Sequence, residues 1–353
     1  MIKVLSYNDI DQTIWQSLVE RSSYATWFQT PEAYKFYASV PEEIKPFAVG
    51  VSEDDQLLGV VVGYTTQEKN FWKQMLTVRS IIVGGPLLAE DISDDALTAL
   101  LNAIKKYRVK IVEIKDEINS QAYTPYTIHH TPIYIESRNF HDYSRWRSTF
   151  EKCGFAYQPH LNFHVDATSV EVMEKNIGKS RKRDIKTTIR DGVVPIMQPT
   201  IEQVKEYFGI LQQLYTTKVK TPLFSWKFFE QLYYTEYGHF FLTKYQGKII
   251  GGTVCVELPN KALYEWFVCG EDGVYDHIFP SSYATYLGIK YAAEHNCKIF
   301  DMMGAGKPEK NYGVRDFKAR FGGKLVEHGR YLCVRKSLLY LIGKLGVKLL
   351  KKK

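Results

Sequence analysis

The stretch Phe240–Val268, FFLTKYQGKIIGGTVCVELPNKALYEWFV, reads as three successive strands. Phe240–Tyr245 and Ile249–Glu257 are β-rich runs joined by the turn Gln246-Gly247-Lys248. Pro259-Asn260 then turns the chain into a third run, Ala262–Val268. Downstream, Pro280 opens a helix reaching about His295, followed by a strand at Ile299–Asp301, a glycine-rich loop and a helix near Val314–Phe321. Upstream lie helices at about Val170–Ile177, Ser180–Asp191 and Ile201–Thr217, with Gly192 ending the second of them. The order is helices, hairpin, strand, helix, strand.

The first half repeats that order without a residue-level repeat. A short strand at Val4-Leu5 leads to a helix near Asp11–Glu20 and a second one after Thr30-Pro31, where Thr suits the N-cap and Pro the first helical position. Phe47–Val51 and Leu57–Tyr64 form a hairpin across an acidic turn, and Arg79–Val83 is a strand ended by Gly84-Gly85-Pro86. Ser93–Arg108 places Leu97, Leu100, Leu101 and Ile104 at helical spacing, and Ile111–Ile114 is a short strand. The expected architecture is α+β: two similar domains, 1–165 and 166–335, each a mostly antiparallel mixed sheet flanked by helices, and a basic tail, 336–353.

Composition bounds the chemistry. The 353 residues are 45% hydrophobic and 14% aromatic, too apolar for a disordered chain and long enough for two cores. No apolar run approaches the roughly 18 residues of a membrane span. The N-terminal MIKVLSYNDIDQ lacks the apolar core of a secretory signal, so a cytoplasmic location is expected. Five cysteines with no CxxC pair argue against a disulfide framework, and no His/Cys/Asp/Glu set completes a metal site. Net charge is −4 over 1–165, +5 over 166–335 and +6 over the last 18 residues. The cationic surface belongs to the second half and the tail, pointing to a polyanionic partner.

Three segments carry a specific likeness: Asn176–Val193 (NIGKSRKRDIKTTIRDGV), Lys298–Gly304 (KIFDMMG) and Tyr312–Gly323 (YGVRDFKARFGG). Together with the Gly-Gly-Pro strand end at 84–86 and the element order, they resemble the FemABX family of peptidoglycan bridge-forming aminoacyltransferases. The resemblance implies two tandem GCN5-related N-acetyltransferase-like domains that move an aminoacyl group onto an amine. It implies aminoacyl-tRNA as donor, a lipid- or nucleotide-linked cell-wall precursor as acceptor, and no required cofactor. Two departures stand out. Nothing between about Ile201 and Gly238 is long enough for the helical hairpin that one branch inserts to hold tRNA. The coenzyme A loop [QR]-x-x-G-x-[GA] is also absent, its nearest string Arg320-Phe-Gly-Gly failing the spacing, which weighs against the alternative acyl-CoA donor.

Attack of an amine on an ester proceeds through an oxyanion that needs nearby positive charge. The resemblance assigns that charge to Lys318, beside Phe317; the bland alternative is a surface helix lysine. Asp301, at the end of its strand, either orients the amine and accepts its proton or caps the following loop. Gly304 lets backbone approach a substrate, or simply shapes the loop. Lys179, Arg183, Lys186 and Arg190 fall on one helix face, suited to phosphate oxygens unless Glu174, Asp184 and Asp191 neutralise them. Tyr264 and Tyr283 either stack on a base or sugar, or pack the core.

In the tail, Leu338, Leu341, Ile342, Leu345 and Leu349 make one apolar stripe opposite Lys344, Lys348 and Lys351. That pattern fits a helix lying on an anionic membrane surface, which would make the protein peripheral to the inner leaflet; packing on its own domain is the alternative. A non-catalytic RNA- or membrane-binding module is the reading from outside enzymology.

Overall fold

The computed structural model describes residues 1–66, 76–107, 109–112, 127–310 and 312–350. The chain forms two units: 1–158 with 330–353, and 159–329.

The first unit runs β1 (Ile2–Ser6), α1 (Gln12–Arg21), α2 (Pro31–Ala38), β2 (Ile44–Glu53), β3 (Gln56–Thr66), β4 (Ser80–Gly84), β5 (Leu87–Leu88), α3 (Asp94–Lys106), β6 (Val109–Val112), β7 (Thr127–His130), β8 (Tyr134–Asn139), α4 (Arg147–Lys152) and β9 (Ala156–Gln158). Residues 113 and 114 of the expected strand Ile111–Ile114 lie outside the described residues. The helix starts follow their caps: the Thr30 hydroxyl accepts from Ala33 N at 3.1 Å with Pro31 at the first position, and Ser93 accepts from Ala96 N at 3.1 Å. Leu97, Leu100, Leu101 and Ile104 form the buried stripe of α3, as their spacing requires.

The second unit runs β10 (Leu161–Asp166), α5 (Val170–Asn176), α6 (Lys179–Arg190), β11 (Val194–Ile196), α7 (Ile201–Leu214), α8 (Trp226–Tyr233), β12 (Gly238–Tyr245), β13 (Lys248–Leu258), β14 (Ala262–Gly270), α9 (Pro280–Glu294), β15 (Ile299–Gly304), α10 (Gly313–Ala319) and β16 (Lys324–Glu327). Helix α7 ends in a π turn at Tyr215–Val219, and its compact link to α8 leaves no long helical insertion there. The core gathers Phe163, Val165, Met173, Leu263, Ile289 and Phe300, with the inner faces of α5 and α9 against the sheet and that of α6 against α9.

The sheets share an order. The first is β1-β2-β3-β4-β8-β17-β9, where β17 is Arg330–Val334 and β5 lies beside β3; the second is β11-β12-β13-β14-β15-β10-β16. Each has antiparallel neighbours except at its centre, where β4 runs parallel to β8 and β14 parallel to β15. Strand β17 (Arg330–Val334) pairs with β8 and β9, so residues 330–335, read from sequence as the end of the second domain, complete the sheet of the first. The same exchange places β10, which directly follows the first unit, beside β15. Helix α11 (Ser337–Leu350) follows β17.

Candidate functional site

The central parallel pair of the second unit is a fork. Strands β14 and β15 are in register only at Ala262↔Ile299, Leu263↔Phe300 and Tyr264↔Asp301, after which β14 continues to Gly270 and β15 to Gly304. The fork opens at a bulge. Cys255 faces Glu265 and Val254 faces Phe267, leaving Trp266 as the extra residue that bends β14. Carbonyls of β15 beyond the split need another donor, and Lys318 of α10 supplies it. Its Nζ donates to the carbonyls of Met302, Gly304 (3.0 Å) and, more distantly, Met303 (3.4 Å).

Lys318 is therefore not a surface lysine: only 6% of it is exposed. Burial pushes its pKa below the ordinary lysine value, with the Glu265 and Asp301 carboxylates working the other way. Glu265, the first β14 residue past the paired stretch, is also buried. Its Oε1 accepts from the hydroxyls of Thr285 (2.7 Å) and Thr253 (3.2 Å), while Oε2 has no partner. Burial lifts its pKa, opposed chiefly by Lys318. Glu265 was not picked out from sequence. A lone glutamate within an aromatic strand, LYEWF, was the available signal.

Asp301 lies inside β15 rather than at its end, because the strand runs on to Gly304. Both carboxylate oxygens are engaged. Oδ1 accepts from Asn162 Nδ2 at 2.8 Å and from the Met303 backbone N–H at 2.6 Å, and Oδ2 sits 3.2 Å from His164 Nε2. Burial opposes the charge on Asp301, but His164 and these donors outweigh it and hold the carboxyl below its usual range. Burial likewise opposes protonation of His164, and Asp301 outweighs it, so the imidazole pKa is raised. Met303 adopts φ 55°, with its N–H on Asp301 and its carbonyl on Lys318. One left-handed residue thus ties the lysine to the acid.

Helix α6 presents Lys179, Arg183, Lys186 and Arg190 together on its exposed face, around a shallow cavity of about 360 Å³. The acids that might neutralise them serve elsewhere: Glu174 takes the Tyr286 hydroxyl (2.6 Å), Asp184 lies 3.9 Å from Arg181, and Asp191 pairs with Arg190 (2.8 Å). Among the described residues Lys179, Arg183 and Lys186 have no ion pair. Arg181, on the opposite face with Ile185 and Thr188, is buried. Its guanidinium lies 4.7 Å from the Phe317 ring and 4.6 Å from that of Phe321, donates to Phe317 O (3.2 Å) and to the Ser282 hydroxyl, and leaves Nε unpaired. Phe317 thus packs under Arg181.

Tyr264 and Tyr283 are buried at 2% and 4% exposure and pack in the interior rather than offering a ring face. Gly304 is exposed at the open end of β15. Among the described residues no group of His, Cys, Asp and Glu could hold a metal, and all five cysteines are buried free thiols.

An acyl-CoA donor would place its pyrophosphate at a helix N-terminus. The first turn of α9 borders a cavity of about 350 Å³ that contains Arg181 and Arg320, but also Asp184, Asp272 and Asp316. Burial pushes the Asp272 carboxyl up, and the nearby hydroxyl and backbone N–H of Ser281 in that turn oppose it. Three carboxylates thus share that cavity with the two guanidiniums.

No family model matches the chain, and no curated protein matches it in sequence. Solved structures do match its fold. The crystal structure of FemX superposes with a TM-score of 0.68 at 11% identity, covering 96% of this chain and 99% of that one. The structure of L-PGS from Bacillus licheniformis gives 0.54 at 13% identity, covering 95% and 96%. A tandem GNAT protein from the clavulanic acid biosynthesis pathway gives 0.52 at 9% identity, covering 94% and 98%. The chain thus has the tandem acetyltransferase-like fold, and the fold expected from the FemABX resemblance is the one observed.

Proposed function

We propose that the protein is an aminoacyltransferase that moves an aminoacyl group from tRNA to an amine of a cell-wall or lipid-linked acceptor. The observation that carries this reading is the fork between β14 and β15 with Lys318 buried in it. A cation held in a low-dielectric seam stabilises negative charge far better than one in water. The acceptor nitrogen attacks the ester carbonyl, charge develops on the carbonyl oxygen, and Lys318 supplies the positive field. The unpaired cations Lys179, Arg183 and Lys186, with Arg190, suit the phosphates of a tRNA donor. The folds of FemX and of the C-terminal domain of a putative lysylphosphatidylglycerol synthetase from Agrobacterium fabrum are among those that match, which supports an aminoacyl donor.

The tail supports a membrane-side acceptor. Among the described residues no helix is long and apolar enough to cross a membrane. Helix α11 nevertheless exposes Leu338, Leu341, Ile342 and Leu345, each by more than half, and Lys344 reaches over Tyr340. The side chains of Lys348 and Leu349, and residue Lys351, lie outside the described residues. An amphipathic helix of this kind settles on an anionic leaflet at the cytoplasmic face.

Mass spectrometry of the host's cell-wall precursors and lipids, with and without the gene, tests the reading. An added amino acid that disappears on deletion is the expected result and names the acceptor. Unchanged precursors and lipids, together with acyl transfer from acyl-CoA by the purified protein, would replace tRNA with a thioester donor.

A further inference from the structure

The proton released in amine attack needs an acceptor, and Asp301 cannot serve. Its Oδ1 already takes two hydrogen bonds, its Oδ2 faces His164, and it is 2% exposed. His164 differs. It lies on β10 directly across from Asp301 and is held through Nε2, which leaves Nδ1 on the far side of the ring. Among the described residues Nδ1 makes no hydrogen bond, and 17% of the side chain is exposed. A carboxylate bonded to one imidazole nitrogen fixes the tautomer with the proton on that side and directs the lone pair of the other outward. Asn162, two residues earlier on the same strand, locks the carboxylate's other oxygen. The dyad also shares Met303 with Lys318, so the imidazole and the buried cation are braced by the same residue.

We propose that His164 is the catalytic proton acceptor of the transfer reaction and that Asp301 is the residue that positions it. This rests on the aminoacyltransferase reading. The acceptor nitrogen bonds to the carbonyl carbon of the aminoacyl ester, and its proton passes to His164 Nδ1. As the tetrahedral intermediate collapses, the bond from that carbon to the ribose oxygen breaks. The ribose oxygen takes the proton from Nδ1, so the amide and the tRNA hydroxyl leave with the ring neutral again. The charged or titratable groups around the ring are Asp301 on β15, Lys324 opposite it on β16, and His328, whose ring centroid is 5.2 Å away. Asp301 raises the imidazole's proton affinity and Lys324 lowers it.

Two measurements test the proposal. Nitrogen-15 histidine spectra of the full chain should show the neutral His164 ring protonated at Nε2, titrating above an ordinary histidine. In Asp301→Asn that titration should fall by about one pH unit or more. In single-turnover transfer from a charged total tRNA pool to the host's precursor fraction, His164→Gln should lower the chemical step about 10²–10⁴-fold with little change in KM. Asp301→Asn should move the acidic limb of the pH–rate profile to lower pH. A neutral ring protonated at Nδ1, or a folded His164→Gln protein that transfers at the wild-type rate, overturns the proposal and leaves the aminoacyltransferase reading intact. A wild-type protein that transfers from no tRNA in the pool overturns both.

Discussion

The two units build the same sheet and finish its central parallel pair differently. In the first, β4 and β8 stay in register from Ser80↔Ile135 to Gly84↔Asn139, and Phe140 N–H closes the end on Gly84 O at 3.2 Å. In the second, β14 and β15 part after Tyr264↔Asp301. The buried charges follow the same division. Glu136 in the first unit is bracketed by Arg138 (2.8 Å) and Arg330 (3.0 Å). Burial alone would raise its pKa, but the two arginines outweigh that and bring it to about 2. In the second unit, burial prevails at both Glu265 and Lys318, pushing each toward its neutral form, as it also does at Arg330 of the first. The two clusters differ in pairing: each oxygen of Glu136 meets a guanidinium, whereas Oε2 of Glu265 has no partner, the pattern expected of a working site.

The largest expected effect separates those two clusters. Lys318→Met removes the buried cation and strands the carbonyls of Met302 and Gly304. It should cost about 3 kcal/mol of stability in urea unfolding and at least about 10²-fold in transfer. Arg330→Met, which breaks the closed cluster, should cost about 3–5 kcal/mol of stability yet leave the turnover of the folded fraction unchanged. Equal loss of turnover in both variants would break the comparison.

Next is the charged face of α6. Reversing Lys179, Arg183 and Lys186 to Glu should weaken tRNA binding about 10–100-fold. It should also flatten the salt dependence by about one unit of slope for each phosphate no longer neutralised. Lys35→Glu on the first unit, whose lysine lies 3.9 Å from Glu32, should leave the slope alone. Fluorescence anisotropy across a salt series reads both. A smaller effect tests the closed end of the first unit. Gly84 has φ 86°, and a Cβ there would collide with Thr26, so Gly84→Ala should cost about 1–3 kcal/mol by thermal unfolding. Gly304, at the open end of the other pair, is exposed, and Gly304→Ala should be nearly neutral in the same measurement.

What was legible in the sequence was local. Strand alternation and turn residues gave β2–β3 and β12–β14, caps gave α2 and α3, and the YGVRDFKARFGG motif directed attention to Lys318. The fork was not legible, because a bulge exists only relative to the neighbouring strand, and Trp266 looks like any aromatic strand residue until Val254 and Cys255 are paired with β14. His164 and Asp301 stand 137 positions apart and meet only because β10 crosses into the second sheet. The return of β17 to the first sheet likewise has no local signature. Arg181 could have been found: it shares the stripe of Ile185 and Thr188, the inner face of α6.

The smallest effect is the pH dependence of stability, and its sign distinguishes the open site from the closed cluster. The raised pKa of His164 contributes stability that is complete below the ordinary histidine value and is lost as pH rises through the folded-state value. The lowered pKa of Asp301 contributes stability present above the ordinary aspartate value and lost as pH falls through its folded-state value. Between those limits both groups are charged and the pair is intact, so stability should peak in mildly acidic solution, with each limb on the order of 1 kcal/mol. Glu136 obeys the aspartate rule, with its loss confined to strongly acidic solution as pH approaches about 2. Thermal unfolding of the wild type and Asp301→Asn across pH 2–9 separates these contributions. The substitution should remove the decline on the alkaline side of the peak, because the imidazole loses the carboxylate that raised its pKa. It should leave the strongly acidic loss from Glu136 untouched. A variant that keeps the alkaline decline would show that His164 is not what titrates there, and would uncouple the dyad from the fork.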